Sequence, residues 1–282
     1  MSSNLSAYIF CTFRLKSASG FDRILIMPLI LLTNDDGVNA PGLEALAKGL
    51  SGIADCCIVA PDRERSASGH SLTIHKPLKV TELGAGRYSL NGTPTDCVAI
   101  GVSRIMPRRP DIIVSGINNG PNLGDDITYS GTVSAAMEGT IMNIPSIAVS
   151  INATGGEEPV FDSAASVARD VALMVLSEHL PYDTLLNVNV PNLPYPEIRG
   201  TKLTRQGKRV YDNSIQDSYT PWGEKYYWIG GGTPYWEHGE DTDMCAVMQG
   251  YVSITPLHLD LTNYSAMEML REQWTKRNSE KP

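Results

Sequence analysis

The sequence predicts an α/β protein in which a mostly parallel sheet carries helices on both faces, followed by a C-terminal β-hairpin arm and a terminal helix. Three observations predict it. Short, bounded apolar runs recur at 29–32, 56–60, 111–115, 146–151 and 185–190, as expected of strands buried on both faces. Segments with helical spacing alternate with them over residues 28–190, which implies parallel pairing through crossovers. Beyond about residue 195 the strand-like segments follow one another on polar, glycine-rich loops without intervening helices.

The run Leu29 to Leu32 ends at Asp35, Asp36 and Gly37. Leu43, Leu46, Ala47 and Leu50 then recur at helical spacing, with Pro41 near the first helical position. This reads as strand, acidic turn, helix. A second buried strand, Cys56 to Ala60, leads through Pro61 and Asp62 into the loop RERSASGHS. LKVTEL and RYSL alternate around Gly84 and Gly86 as a hairpin, closed by Asn91, Gly92 and Pro94. A helix is predicted from Asp96 to Ile105, with Thr95 as its cap. The strand Asp111 to Ser115 exits into a long loop, GINNGPNLGDDITYSG, and loops of such length are often functional. A helix over about Thr132 to Met142, the strand SIAVSI, a helix from Ser163 to His179 and the strand LLNVNV complete the core. In the C-terminal part, TKLTRQGKRV, KYYWIGG and GYVSITPL read as strands. Tyr264 to Arg277 reads as a helix with Met267, Leu270 and Trp274 on one stripe.

Residues 1–26 lack the charged start and long apolar core of a secretory signal, and Met27 lies just before the first strand. They are expected to be disordered or a mis-annotated extension. The α/β core with the metal site then spans 27–195. The hairpin-rich arm and helix span 196–282 and have too little core to stand alone, so they are expected to pack on the sheet or reach onto another subunit.

Composition excludes several classes. The 23 Lys and Arg against 31 Asp and Glu give a net charge of −8, and the basic residues are scattered, so neither a nucleic-acid nor a membrane partner is expected. No apolar stretch approaches the roughly 20 residues of a membrane helix. Five cysteines, at 11, 56, 57, 97 and 245, without CxxC spacing, read as reduced, buried thiols of a cytoplasmic protein.

Chemistry concentrates at the carboxyl ends of the predicted strands, where open α/β sheets bind ligands. One carboxylate at a strand end is ordinarily a helix cap. Two in succession, Asp35 and Asp36, raise each other's pKa unless a cation sits between them, and hard oxygens there suit a divalent ion bearing a phosphate. On the next loop Ser66 offers an oxygen to such a metal and Arg65 a charge for anions, while His70 and His75 read as structural. Asn118 and Asn119 offer neutral oxygens able to complete a magnesium or manganese shell. Ser130, Gly131 and Thr132 precede a helix, where hydroxyls and free amides either cap the helix or bind an anion, two compatible roles. Neither GxxxxGK[ST] nor GxGxxG occurs, which argues against ATP-binding P-loops and ordinary dinucleotide sites.

Taken together, TNDDGVNAPG, VAPDRERSASGHSLT, NGTPTDCV, DIIVSGINNGPNLGDDITYSGTVSAAMEG and GYVSITPLHLDLT resemble the SurE family of stationary-phase survival proteins, in order from about Met27 to Thr262. The resemblance implies a metal-dependent phosphatase of nucleoside monophosphates, 5′ and in part 3′, with polyphosphate hydrolysis in some members. It implies a Rossmann-like sheet, and dimers or tetramers formed by exchange of the C-terminal hairpin and helix. Carried over by motif, the divalent ion, Mg²⁺ or Mn²⁺, falls to Asp35, Asp36, Ser66 and Asn118, and the segment Ser130 to Ser134 lies close to the phosphate. Some members carry a histidine in the segment that reads EDTDMCAV here, where this chain has Cys245; Asp241 and Asp243 remain there as carboxylates.

The expectation is therefore a phosphomonoesterase in which Asp35 and Asp36 act through the metal they hold, a bound water attacks phosphorus in line, and Ser130, Gly131 and Thr132 steady the oxygens. Direct water attack is favoured over a phospho-aspartate, because a metal-tied carboxylate is a poor nucleophile. Two other classes remain. A receiver-like domain needs a phospho-accepting Asp after a central strand, where SGIN stands. A non-catalytic nucleotide sensor would keep the same phosphate site.

Overall fold

The computed structural model describes residues 12–15, 23–210, 215–229, 235–236 and 239–279. Two short strands, β1 (Thr12–Leu15) and β2 (Arg23–Ile26), pair antiparallel. Most of residues 1–26, expected to be a disordered or mis-annotated extension, lies outside the described residues.

The core runs β3 (Leu29–Thr33), α1 (Pro41–Leu50), β4 (Asp55–Pro61), β5 (Val80–Gly84), β6 (Arg87–Leu90), α2 (Pro94–Ile100), β7 (Ile112–Asn119), α3 (Gly131–Ile141), β8 (Ser146–Asn152), α4 (Phe161–Glu178) and β9 (Thr184–Pro191). Then follow β10 (Thr201–Leu203), β11 (Arg209–Val210), β12 (Ile215–Tyr219), β13 (Lys225–Ile229), β14 (Tyr235–Trp236), α5 (Asp243–Met248), β15 (Val252–His258) and α6 (Tyr264–Ser279). Nine strands form one sheet in the order β10-β15-β9-β8-β7-β3-β4-β6-β5. The six strands from β9 to β6 are mutually parallel; β5 and β15 pair antiparallel with β6 and β9.

Period-two alternation of apolar side chains builds a core on each face. Ile30, Leu32, Ile58, Ile112, Val114, Val149 and Val188 face Leu43, Leu46 and Leu50 of α1 and Val167, Val171 and Val175 of α4. Leu29, Leu31, Cys57, Val59 and Ile113 face Cys97 and Val98 of α2 and Ala135 of α3. Each fully buried leucine contributes roughly 1.5–3 kcal/mol. The predicted sandwich of helices on both faces of a parallel sheet is the one observed.

Three local readings are corrected. The second helix starts at Pro94, not Asp96, and its cap is Thr93, not Thr95. Thr93 Oγ1 accepts from Asp96 N at 3.1 Å while the Asp96 carboxylate accepts from Thr93 N at 2.8 Å, a reciprocal capping box that leaves Thr95 inside the helix. The fifth predicted strand does not stop at Ser115. It continues to Asn119 after a shift of register against β8, so Asn118 and Asn119 stand on the strand end rather than in a loop. The C-terminal part also holds a helix, α5, capped by Thr242. Its strands β10 and β15 join the main sheet, while β12 and β13 form a separate antiparallel hairpin.

Candidate active site

From β3 the chain passes to β4 on one side of it and later to β7 on the other. The crevice between β3 and β7 is therefore the topological switch point of the sheet, where both strand ends open towards a ligand. Asp35 and Asp36 leave the end of β3; Asn118 and Asn119 leave the end of β7.

The acidic turn is braced from beneath. Buried Asn34 accepts from Gly37 N at 3.2 Å and donates from Nδ2 to Gly37 O at 3.1 Å. Gly37 lies at φ +104°, a conformation that L side chains rarely adopt. The Asp35 carbonyl accepts from Arg65 N at 2.7 Å, which fixes the start of the loop after β4.

Asp35 is buried, and its carboxylate sits on the N-terminus of α3. It accepts from the Thr132 hydroxyl and from the Gly131 and Thr132 amides. Burial pushes its carboxyl up, and those donors pull it down in part. Asp36 is half-buried and accepts from Asn119 N at 3.4 Å. Burial first, and the charge of Asp35 second, push its carboxyl up to about 6.

A cleft of about 520 Å³ opens above the pair, lined among others by Asp35, Asp36, Glu64, Ser66, Asn118 and Asn119. The stretch after β7 contributes Asn122, Asp126, Tyr129 and Ser130. None of the described lining residues is basic. Ser66 donates from Oγ to Glu64 Oε1 at 2.6 Å, and Asn118 donates from Nδ2 to Gly120 O at 2.8 Å.

The four predicted metal ligands thus share one cleft. Of the three residues expected at the phosphate, only Ser130 lines it; Gly131 and Thr132 lie behind and hold Asp35. Ser130 also caps α3, its Oγ accepting from Val133 N at 3.1 Å, the capping role expected of it. Arg65 does not reach the cleft. Its guanidinium turns to Asp62 and to the Asn91 carbonyl. His70 bonds Glu138 of α3 at 3.0 Å, the structural role expected of it. Asp241 is exposed and paired with Arg205, and Asp243 is fully buried, so neither carboxylate of that segment lines the cleft. Sequence reasoning missed Asn34, Asn122, Tyr129 and Phe161, which also reaches the cleft. Asn34 directly before two aspartates and a glycine carried a turn signal.

The arrangement fits a divalent cation. Among the described residues no three His, Cys, Asp or Glu side chains cluster into a metal cage. The donors here are two carboxylates, a hydroxyl and an amide, a hard all-oxygen set of the kind magnesium and manganese prefer. The carboxylate pair has no basic side chain beside it among the described lining residues, so a cation bound there would relieve its repulsion. Such binding would be proton-linked. Between 3.8 and about 6 the folded protein holds a proton on Asp36 that the unfolded chain has released, so stability without metal is lost as pH rises through that window. A bound cation takes the proton's place. Added Mn²⁺ is expected to raise the melting temperature strongly at pH 7.5 and by less than half as much at pH 5. An equal rise at both, measured by differential scanning fluorimetry, would contradict it.

The model of the family described as survival protein SurE matches residues 30–213. A protein named 5′-nucleotidase SurE from Geobacter sulfurreducens is 55% identical over 242 residues, covering 86% of this chain and 92% of that protein. One of the same name from Aquifex aeolicus is 51% identical over 247 residues, covering 87% and 98%. The crystal structure of the SurE protein from Aquifex aeolicus superposes with a TM-score of 0.78 at 48% identity, covering 87% of this chain and 99% of that one.

Proposed function

The chain belongs to the survival protein SurE family, and from that premise we propose that it is a phosphomonoesterase converting nucleoside 5′-monophosphates to nucleoside and phosphate. The observation that carries the reading is the acidic pair at the switch point, sharing with Ser130 a cleft whose described lining residues include no basic side chain. Such a cleft repels a phosphate until a cation is bound.

Asp35, Asp36, Ser66 and Asn118 would hold one divalent ion, Mg²⁺ or Mn²⁺. When bound, such an ion neutralises phosphate charge and lowers the pKa of a coordinated water. The chain's own groups do the rest. Thr132 and the first amides of α3 keep the Asp35 carboxylate in one orientation, and the Asn119 amide does the same for Asp36. Ser130, at the cleft surface, contacts the phosphate oxygens. Tyr129, 63% exposed at the same wall, offers its ring to the base. Phosphate release from a panel of 5′- and 3′-monophosphates and short polyphosphate, with Mg²⁺ or Mn²⁺ added, tests the reading. Release from 5′-monophosphates supports it, and no release from any substrate would sink it.

We also propose a homodimer or homotetramer acting in the cytoplasm, assembled through the arm over 196–282, with 27–195 as the catalytic core. Among the described residues no helix is long and apolar enough to cross a membrane. Cys56, Cys97 and Cys245 are free thiols, and burial pushes Cys56 up to about 12, where it is unreactive. Ile229 and Trp228 of the β12–β13 hairpin and Leu270 and Trp274 of α6 are exposed in the single chain, large apolar side chains that a partner subunit would cover. Leu270→Glu with Trp274→Glu is expected to shift the light-scattering mass towards the monomer. An unchanged mass would remove α6 from the interface.

A further inference from the structure

One wall of the cleft is held from a distance by a buried carboxylate. Asp243, at the start of α5 and 0% exposed, accepts from Gly124 N at 2.8 Å, Gly207 N at 2.9 Å and Met244 N at 2.8 Å. These donors belong to three stretches far apart in sequence: the turn after β7, the segment between β10 and β11, and α5 itself. Further bonds tie the same stretches together. Gln206 Nε2 donates to Gly124 O at 3.1 Å, and Asp243 N donates to Arg205 O at 3.0 Å.

What is pinned at Gly124 is the stretch that lines the cleft. Asn122 precedes it, and Asp126, Tyr129 and Ser130 follow. Upstream, the Asn122 backbone is gripped by the amides of Asn187 and Asn189 on β9. Downstream, Ser130 caps α3. Gly124 is the midpoint, held at its N–H by Asp243 and at its carbonyl by Gln206, while Arg209 pairs with Asp126 further on. The oxygens proposed for the metal are carried by the ends of β3 and β7, and Asp35 meets this wall only at its far end, where Gly131 and Thr132 follow Ser130.

We propose that Asp243 is a positioning residue for substrate: it sets the wall formed by Asn122, Asp126, Tyr129 and Ser130 without touching substrate or metal. The proposal rests on the functional reading above. Three amide donors on one buried carboxylate also explain why this position needs a charged acceptor with two oxygens, since hydrogen bonds to charged groups are the strong ones.

Asp243→Asn is the test. An amide can keep its oxygen on the Gly207 and Met244 amides, but its NH₂ group then faces Gly124 N, donor against donor, so the bond to the cleft wall is the one lost. In the full-length protein with Mn²⁺, KM for AMP is expected to rise about 10-fold or more while kcat and the Mn²⁺ dissociation constant stay within about 3-fold. Amide hydrogen exchange over residues 122–130 should speed up, while that of 35–37 does not. Val171→Ala, a core truncation in α4, serves as the stability control: it lowers the melting temperature and leaves KM unchanged. Should Asp243→Asn fail to fold, Gly207→Ala displaces the same carboxylate from its other oxygen, because its Cβ would lie 2.7 Å from Asp243 Oδ1.

An unchanged KM in variants that still fold, an unchanged exchange rate over 122–130, or loss of Mn²⁺ affinity in step with KM would each overturn the proposal. Wild-type protein that releases no phosphate from any nucleotide would instead defeat the functional reading, and exchange over 122–130 would still decide whether Asp243 pins that wall.

Discussion

Asp36→Asn is expected to lower phosphate release from AMP by about 10³-fold, since a metal-bound phosphate draws several kcal/mol of charge stabilisation and each decade of rate is ~1.4 kcal/mol. The fold should survive the change. The carboxyl of Asp36 is already pushed up to about 6 by burial and by Asp35, so a neutral isostere removes a repulsion from the metal-free protein. The melting temperature in EDTA at pH 7.5 is expected to stay level or rise, and the stabilisation by Mn²⁺ to vanish. Activity loss together with a large drop in melting temperature in EDTA would mean that Asp36 holds the fold rather than the cation.

Gly131→Ala is expected to cost at least about 10²-fold in kcat/KM, although the substitution adds a single methyl group to a helix. A Cβ at this position would lie 2.7 Å from Asp35 Cβ, 2.8 Å from Asp35 Oδ2 and 3.0 Å from Ser68 Oγ. The Asp35 carboxylate cannot yield without leaving the Thr132 hydroxyl and the α3 amides. Overpacking of this kind costs typically 1–3 kcal/mol, and a misplacement of about 1 Å at a reacting centre can cost 10²-fold. Gly52→Ala, where a Cβ meets nothing within 4 Å, is the matched control and should leave the rate unchanged. Equal kinetics in the two variants would show that the close approach of α3 to Asp35 does not matter for the reaction.

Much of the core was legible because its signals are local. The apolar run Leu29 to Leu32, the acidic turn and the stripe Leu43, Leu46, Leu50 each follow from strand and helix periodicity, and the structure places them as read. The cap at Thr93 was legible too: Pro94 at the first helical position and Asp96 three residues after Thr93 make a capping signal that the choice of Thr95 overlooked. The extension of β7 to Asn119 was hidden by Gly116, which interrupts the apolar run while the ladder resumes opposite Ser150 and Ile151 of β8. α5 has six residues, fewer than two turns, too short for a helical period to show.

The site was legible as residue types on separate strand ends but not as an arrangement. Nothing local says that Thr132 turns its hydroxyl to Asp35, 97 residues away, or that Asp243 reaches Gly124 across 119. Those pairings are set by which strands become neighbours. The sheet order places β3 beside β7 and brings the end of β3 onto the α3 terminus, so Gly131 and Thr132, expected at the phosphate, hold Asp35 instead.

The proposed function requires a single cation at that junction, and Mn²⁺ binding followed by electron paramagnetic resonance tests this most directly. One Mn²⁺ per chain is expected in the wild type, with binding lost in Asp36→Asn and weakened in Ser66→Ala and Asn118→Ala. Unchanged stoichiometry and affinity in all three variants would contradict it.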